Sequence, residues 1–372
     1  MNEISQKKAV FYYIRLWLAI LGFIWLELTI NLATVGDVNK LILAGLGLSI
    51  GSILFLSRFG FALAFKDAVT KRYAGAFVAQ LVMLSLSSLL IVPLIAAGSI
   101  LGRKITGFSH PIGISFVTGA MLFGCGMSLS GGCASGTLFW LGSGNMKFIV
   151  TLLGFVFGSV LAAASIRFWW HLPSFSPLTV FTLGIDWRLG LAIQIIFCLL
   201  LIFLLVKKNH RPTSNLLLGG IGLALFNFAT VLTIGHPWSE TFDFTLWGSK
   251  LAAFIGFKPQ RWTFWNGEDV NQLSVFSEST SIMDLSIILG AFLAATIRKQ
   301  FKWNWPRSTH EWLAASIGGI IMGYGARLSG GCNIGAYFSS ISSGDLSGWI
   351  WALCAFIGTF AGVRLSQKYF LD

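Results

Sequence analysis

The pentapeptide Leu-Ser-Gly-Gly-Cys occurs twice in this chain, ending at Cys133 and at Cys332. Around it, Gly124-Cys-Gly-Met-Ser-Leu-Ser-Gly-Gly-Cys-Ala-Ser-Gly136 aligns without gaps with Gly323-Tyr-Gly-Ala-Arg-Leu-Ser-Gly-Gly-Cys-Asn-Ile-Gly335. Eight of the thirteen positions are identical, and the copies lie 199 residues apart. The chemistry open to such a segment is anion binding. A helix that stops at Ser-Gly-Gly and restarts exposes unpaired backbone N–H groups at its new N-terminus, where the aligned peptide dipoles favour negative charge. The paired glycines Gly131 and Gly132, and Gly330 and Gly331, permit a nest-like turn that can hold an oxyanion. Cys133 and Cys332 then stand where an ion would sit.

Other residues near the motifs can take part. Arg327, five residues before Cys332, is an intramembrane charge, which is costly and usually functional; it can neutralise an anion, or serve as a structural partner to Asp345 or to a helix C-terminus. Asn333 follows Cys332 directly. Cys125 precedes Cys133 by eight residues, about two helical turns, which can place both on one face, although its counterpart in the second copy is Tyr324. Cys198 and Cys354 read as small inert hydrophobes. Lys147 and Arg364 lie near segment ends, where long basic side chains snorkel. The five histidines fall at segment edges without metal spacing. No Ser-His-Asp constellation or phosphate-binding loop is present, so no metal, cofactor or ATP hydrolysis is expected. A non-enzyme is the first reading. Its rival is a membrane thiol enzyme carrying sulfane sulfur on Cys133 or Cys332, which requires the two sulfurs within bonding geometry.

The elements that must position these residues are apolar. Of 372 residues, 55% are hydrophobic and only 40 are charged, about half the share of a soluble domain. The chain therefore reads as a polytopic membrane protein, its partner surface being the lipid bilayer. The net charge of +12 does not indicate nucleic acid, because the basic residues collect between apolar stretches: Lys66, Lys71 and Arg72; Lys207, Lys208 and Arg211; Arg298, Lys299, Lys302 and Arg307. That is the positive-inside pattern. Spans of roughly 20 residues are expected at 9–34, 41–57, 74–101, 111–129, 148–169, 187–206, 215–235, 283–301, 311–329 and 347–366. The shorter pieces 58–65, 133–142, 245–257 and 332–341 read as re-entrant half-helices buried in protein. The stretch from Gly235 to Asp284, with Glu240, Asp243, Glu268, Asp269, Glu278 and Asp284, fits the outer face. Lys7 and Lys8 suggest an inside start, no cleavable signal peptide is evident, and Glu27 is the one acidic candidate for ion coupling. The duplication divides the chain into halves at 1–206 (motif 124–136) and 207–372 (motif 323–335). The expected fold is all-α and polytopic, two homologous halves with pseudo-two-fold symmetry whose broken half-helices meet at the membrane centre around a solute site.

The duplicated Leu-Ser-Gly-Gly-Cys segments resemble those of the YeeE/YedE family of bacterial membrane proteins, whose characterised members take up thiosulfate. The similarity is strongest at 113–163 and 311–364. A weaker match is Arg58-Phe-Gly-Phe-Ala-Leu-Ala-Phe-Lys-Asp67, similar to a Cys-containing segment of that family, with Gly60 standing where the family has its cysteine. The resemblance implies multi-pass location in the bacterial cytoplasmic (inner) membrane and a small sulfur-containing anion, thiosulfate first, handed between thiols through S–H···S hydrogen bonds at Cys133 and Cys332. It also implies a small cytoplasmic sulfurtransferase-like partner. Arg327 and Asn333 around Cys332 look closer to a branch linked to selenium metabolism, so a selenium compound is the alternative cargo.

Overall fold

The computed structural model describes residues 37–100 and 102–369; the expected span 9–34, with Lys7, Lys8 and Glu27, lies outside the described residues. Long apolar runs with few charges have no way to satisfy their backbone in lipid except as helices. The chain accordingly runs α1 (Val38–Ser57), short α2 (Phe61–Thr70), α3 (Gly75–Ala97), α4 (Ile114–Ser130), short α5 (Ala134–Gly142), α6 (Lys147–Trp170), α7 (Trp187–Lys207), α8 (Ser214–Ile234), short α9 (Phe242–Phe254), α10 (Ser279–Ile297), α11 (Thr309–Leu328), a short π-helical segment (Asn333–Ser339) and α12 (Ser347–Tyr369). Among the described residues, eight segments are long and apolar enough to cross a membrane. The protein is thus an all-α, multi-pass membrane protein. The four short apolar pieces each become a short helix, as their length dictated. Several long helices start at a side chain that accepts from a free N–H of the first turn, among them Asp37, Asp186, Thr213 and Ser308.

Glycine decides how the long helices pack. Lipid provides no hydrophobic drive between helices, so small residues that let backbones touch are the means of association. A Cβ built on Gly124 would lie 2.0 Å from the Ala355 carbonyl oxygen of α12, and one on Gly323 would lie 2.0 Å from that of Phe155 in α6. Gly119 faces Gly325 while Gly126 faces Gly318, so α4 and α11 run antiparallel. These contacts settle Gly119 and Gly318 as packing residues. Further pairings are α1 with α10, α3 with α8, α4 with α12 and α6 with α11.

The loops sort to two ends. Ala74 N–H donates to His210 Nδ1, Lys302 N–H donates to the Ser143 carbonyl, and Arg58, Ser143 and Lys302 line one cavity, so the three basic clusters share one end. At the other end Thr106 N–H reaches the Gly235 carbonyl, and Val180 N–H that of Gly344.

One expectation is corrected here. Of the acidic stretch assigned to the outer face, Glu268 and Asp269 are exposed, but Glu240, Asp243 and Asp284 are each 0% exposed. The loop after α8 turns inward and starts α9 inside the protein, carrying Glu240 and Asp243 with it, while Asp284 lies in the first turns of α10. Glu27 is therefore not the sole acidic candidate.

Candidate functional site

Both motif copies solve the same local problem in the same way. α4 ends at Gly131, whose φ of +85° closes the left-handed cap, a conformation that favours glycine. α11 ends with Gly330 at φ +74°. Ser130 Oγ donates to the carbonyls of Gly126 and Gly132, and Ser329 Oγ to those of Gly325 and Gly331. Each serine thereby ties the last helical turn to the glycine pair. Each cysteine then becomes the N-cap of the short helix that follows. Cys133 Sγ accepts from Gly136 N–H at 3.4 Å, and Cys332 Sγ accepts from Ile334 N–H at 3.3 Å. Thr137 N–H bonds the Cys133 carbonyl, and Ala336 N–H that of Cys332. Both thiols are buried and all five cysteines are free.

The copies differ in what surrounds them. Cys133 lines a cavity of about 600 Å³ at the basic end. Its wall includes Arg58, Lys66, Lys71 and Lys147 against the single carboxylate Asp67, which is 3.0 Å from Lys71 Nζ. Arg58 to Asp67, the segment with Gly60, forms one side of this cavity, and Gly131, Gly132 and Gly136 form the other. Lys147 does not snorkel to the surface but borders the motif turn, a role that its place at a span end concealed. Lys66 and Lys71 likewise do more than anchor a loop. Arg364, by contrast, stays at the periphery over the Phe360 ring.

At the opposite end, a cavity of about 470 Å³ is lined by His110, Phe116, Trp169, Phe264, Arg327 and Gly330, among others. Arg327 does not pair with Asp345. Its Nη2 donates to Thr241 Oγ1 at 3.1 Å, its guanidinium lies 5.1 Å from the Phe264 ring centroid, and its Nε is unpaired. Asp345 instead accepts from His110 N–H and Ser347. His110, which the sequence left as an edge residue, has its imidazole pushed down to about 4 by burial and then by the Arg327 charge. A Cβ on Gly330 would meet its ring at 2.3 Å.

Cys332 itself does not face this cavity; its Sγ points to Glu240 Oε2 at 3.9 Å. Asn333 beside it is fully buried with both amide atoms unpaired. Cys125 lies where α4 meets α12, its carbonyl against Gly362, and lines neither cavity. Gly131 N–H is taken by the Met127 carbonyl at 3.1 Å, so donors for an oxyanion must come from beyond it. The sequence missed Glu240, Asp243, Asp284, His110 and Lys147. The signal that could have found the first two is a short apolar piece preceded immediately by acidic residues, unlike any lipid-facing helix.

Put together, the geometry offers two buried thiols at the starts of inward half-helices, with a cation-rich cavity at one and an Arg327-lined cavity at the other copy. Backbone N–H groups at helix starts and clustered cations are the features that suit a small anion. Comparison with known proteins agrees. The chain is 25% identical to the thiosulfate transporter TsuA of Spirochaeta thermophila over 84% of this chain and 95% of that one. It is 25% identical to TsuA of Escherichia coli over 86% and 93%. With the probable transporter YedE of Escherichia coli it shares 34% identity over 159 residues, 43% of this chain and 38% of YedE. The family model described as Sulphur transport matches residues 56–361, and the chain belongs to that family of membrane transporters.

Proposed function

We propose that this protein carries a small sulfur-containing anion, thiosulfate in the first instance, across the bacterial cytoplasmic membrane, passing it between Cys133 and Cys332. The observation that carries this reading is the duplicated Cys-capped half-helix, one copy opening to the basic cavity and the other backing onto the Arg327 cavity. The two relatives called thiosulfate transporters match across nearly their whole lengths. Antiparallel α4 and α11, each ending at a motif copy, support two inverted halves divided near residue 206, with alternating access about the interface.

The basic end is the cytoplasmic one by the positive-inside rule. Thiosulfate has an oxyanion end and a terminal sulfur. The oxyanion end is held by N–H groups at Gly132–Cys133 in the first copy and Gly330–Cys332 in the second. The sulfur meets the thiols. A thiol is a weak donor, so each station binds loosely and the ion can leave as readily as it arrives. Arg327 offsets its charge on the outer side, and Arg58, Lys66 and Lys147 draw it inward. Gly60, where the family carries a cysteine, leaves that face of the inner cavity to backbone and to Ala62, so this chain works with two thiol stations. No covalent step is needed. The sulfurtransferase-like cytoplasmic partner rests on family resemblance alone.

The test is growth and labelled-thiosulfate uptake in a host lacking its own uptake system, with thiosulfate as sole sulfur source. The intact chain should restore both, and Arg327→Ala should impair uptake far more than Cys354→Ala. Equal effects of those two variants would defeat the assignment. Selenite or selenosulfate outcompeting thiosulfate would move the cargo to a selenium species on the same architecture.

A further inference from the structure

The thiol path leaves three carboxylates unexplained. Glu240, on the loop before α9, Asp243, on α9, and Asp284, on α10, are 0% exposed. They converge on the second motif: Glu240 Oε2 is 3.9 Å from Cys332 Sγ, and Asp243 and Asp284 lie close enough to feel each other's charge. Glu240 Oε1, Asp243 Oδ2 and both oxygens of Asp284 have no partner in the protein. A second observation, independent of the acids, lies beside Cys332. Asn333, directly after Cys332 in the second motif, is fully buried with both amide atoms unpaired, and buried polar groups are rarely left so without a guest.

We propose that Glu240, Asp243 and Asp284 form a proton-binding site coupled to the anion station at Cys332, so that protons enter with the anion. The proposal rests on the anion-transport reading. Its physical core is charge. The groups facing the cluster from each packed element are Arg327 on α11, with His110 beside it, Glu278 at the start of α10, Cys332 in the second motif and Cys133 in the first. Arg327 is the one permanent cation among them. With all three carboxylates ionised, two negative charges would remain uncompensated at the thiol where an anion must stop, in a site screened from water. With them protonated, Arg327 is left to meet the anion and the carboxyls become donors. Anion occupancy and proton occupancy therefore favour each other, and that coupling is reciprocal.

The experiment uses the full chain in proteoliposomes holding a trapped pH dye, with labelled thiosulfate outside and the membrane potential clamped at zero. A tenfold proton gradient, acid outside, should concentrate thiosulfate about tenfold per coupled proton, and adding thiosulfate should acidify the lumen. Asp284→Asn and Glu240→Gln, each checked for monodisperse folding, should lower the protons moved per thiosulfate. Wild-type uptake that ignores the proton gradient, or that follows a sodium gradient instead, overturns the coupling while leaving transport intact. A second readout needs no transport: thiosulfate added to the weakly buffered, detergent-solubilised protein should draw protons from solution. No thiosulfate movement together with no proton uptake refutes both readings; proton uptake without movement refutes only the transport.

Discussion

Gly131 and Gly330 occupy the same place in two identical pentapeptides, yet the structure predicts unequal consequences when each is replaced by alanine. Both have positive φ, +85° and +74°, and a side chain in the left-handed region costs about 1–2 kcal/mol. For Gly131 that is the whole effect, since the nearest atom to a new Cβ is Lys147 Nζ at 3.5 Å, the far end of a flexible chain. For Gly330 the new Cβ would lie 2.3 Å from His110 Nδ1 and 2.6 Å from Cε1. The His110 main-chain N–H donates to Asp345 Oδ2 at 3.1 Å, fixing where the ring starts, and the ring stacks on Phe116, so it has little room to swing clear. Overpacking of this kind adds about 1–3 kcal/mol. Gly330→Ala should therefore lose about 2–5 kcal/mol in all, against about 1–2 kcal/mol for Gly131→Ala. Heating the detergent-solubilised proteins and following the monodisperse fraction should place the apparent Tm of Gly330→Ala clearly below that of Gly131→Ala. Adding His110→Ala to Gly330→Ala should close most of the gap. Equal losses at the two glycines, or no relief from the second substitution, would refute the reasoning.

Three further outcomes follow from the site. Lys147→Met should raise the thiosulfate concentration needed for half-maximal uptake several-fold while leaving the fold intact, as an uptake titration would show; an unchanged titration would remove Lys147 from the path. A membrane-impermeant maleimide should modify Cys133 from the basic end and leave Cys332 unreacted from either end, which mass spectrometry of oriented vesicles can read. Because the His110 imidazole is held at about 4 rather than its ordinary 6.5, the unfolded chain binds this proton first as pH falls. Its contribution to stability is whole above pH 6.5 and is lost progressively toward pH 4. Thermal stability should decline across that window, and His110→Gln should flatten the decline.

Much of the fold was legible because the hydrocarbon core imposes a length. The runs 41–57, 148–169 and 187–206 became helices whose bounds differ from those expected by three residues or fewer. The pieces 133–142 and 245–257 were too short to cross and duly became short helices, the first buried and the second buried mainly in its first turns. The paired motif was legible for a different reason: glycine at positive φ and a cysteine N-cap are local requirements, written in five residues. What the sequence concealed was convergence. Glu240, Asp243 and Asp284 come from a loop and two helices, and no periodicity links positions that only tertiary packing brings together. Read along the chain, the same residues looked like a solvated outer loop. Lys147 was hidden by the ambiguity of any lysine at a span end, and Cys125 misled because a spacing of two turns fixes a helix face but not what that face touches. Arg327 stood out as a candidate by its cost in the membrane, whereas its partners, Thr241 and Phe264, lie 86 and 63 residues away.

The central claim is that two thiols, one at each motif copy, carry the anion. The most direct measurement is labelled-thiosulfate uptake into proteoliposomes containing the wild-type chain, Cys133→Ala, Cys332→Ala or the control Cys354→Ala. The account predicts robust uptake by wild type and control and near-complete loss in either motif variant, with all four proteins equally folded. Uptake that survives removal of both Cys133 and Cys332 would contradict it.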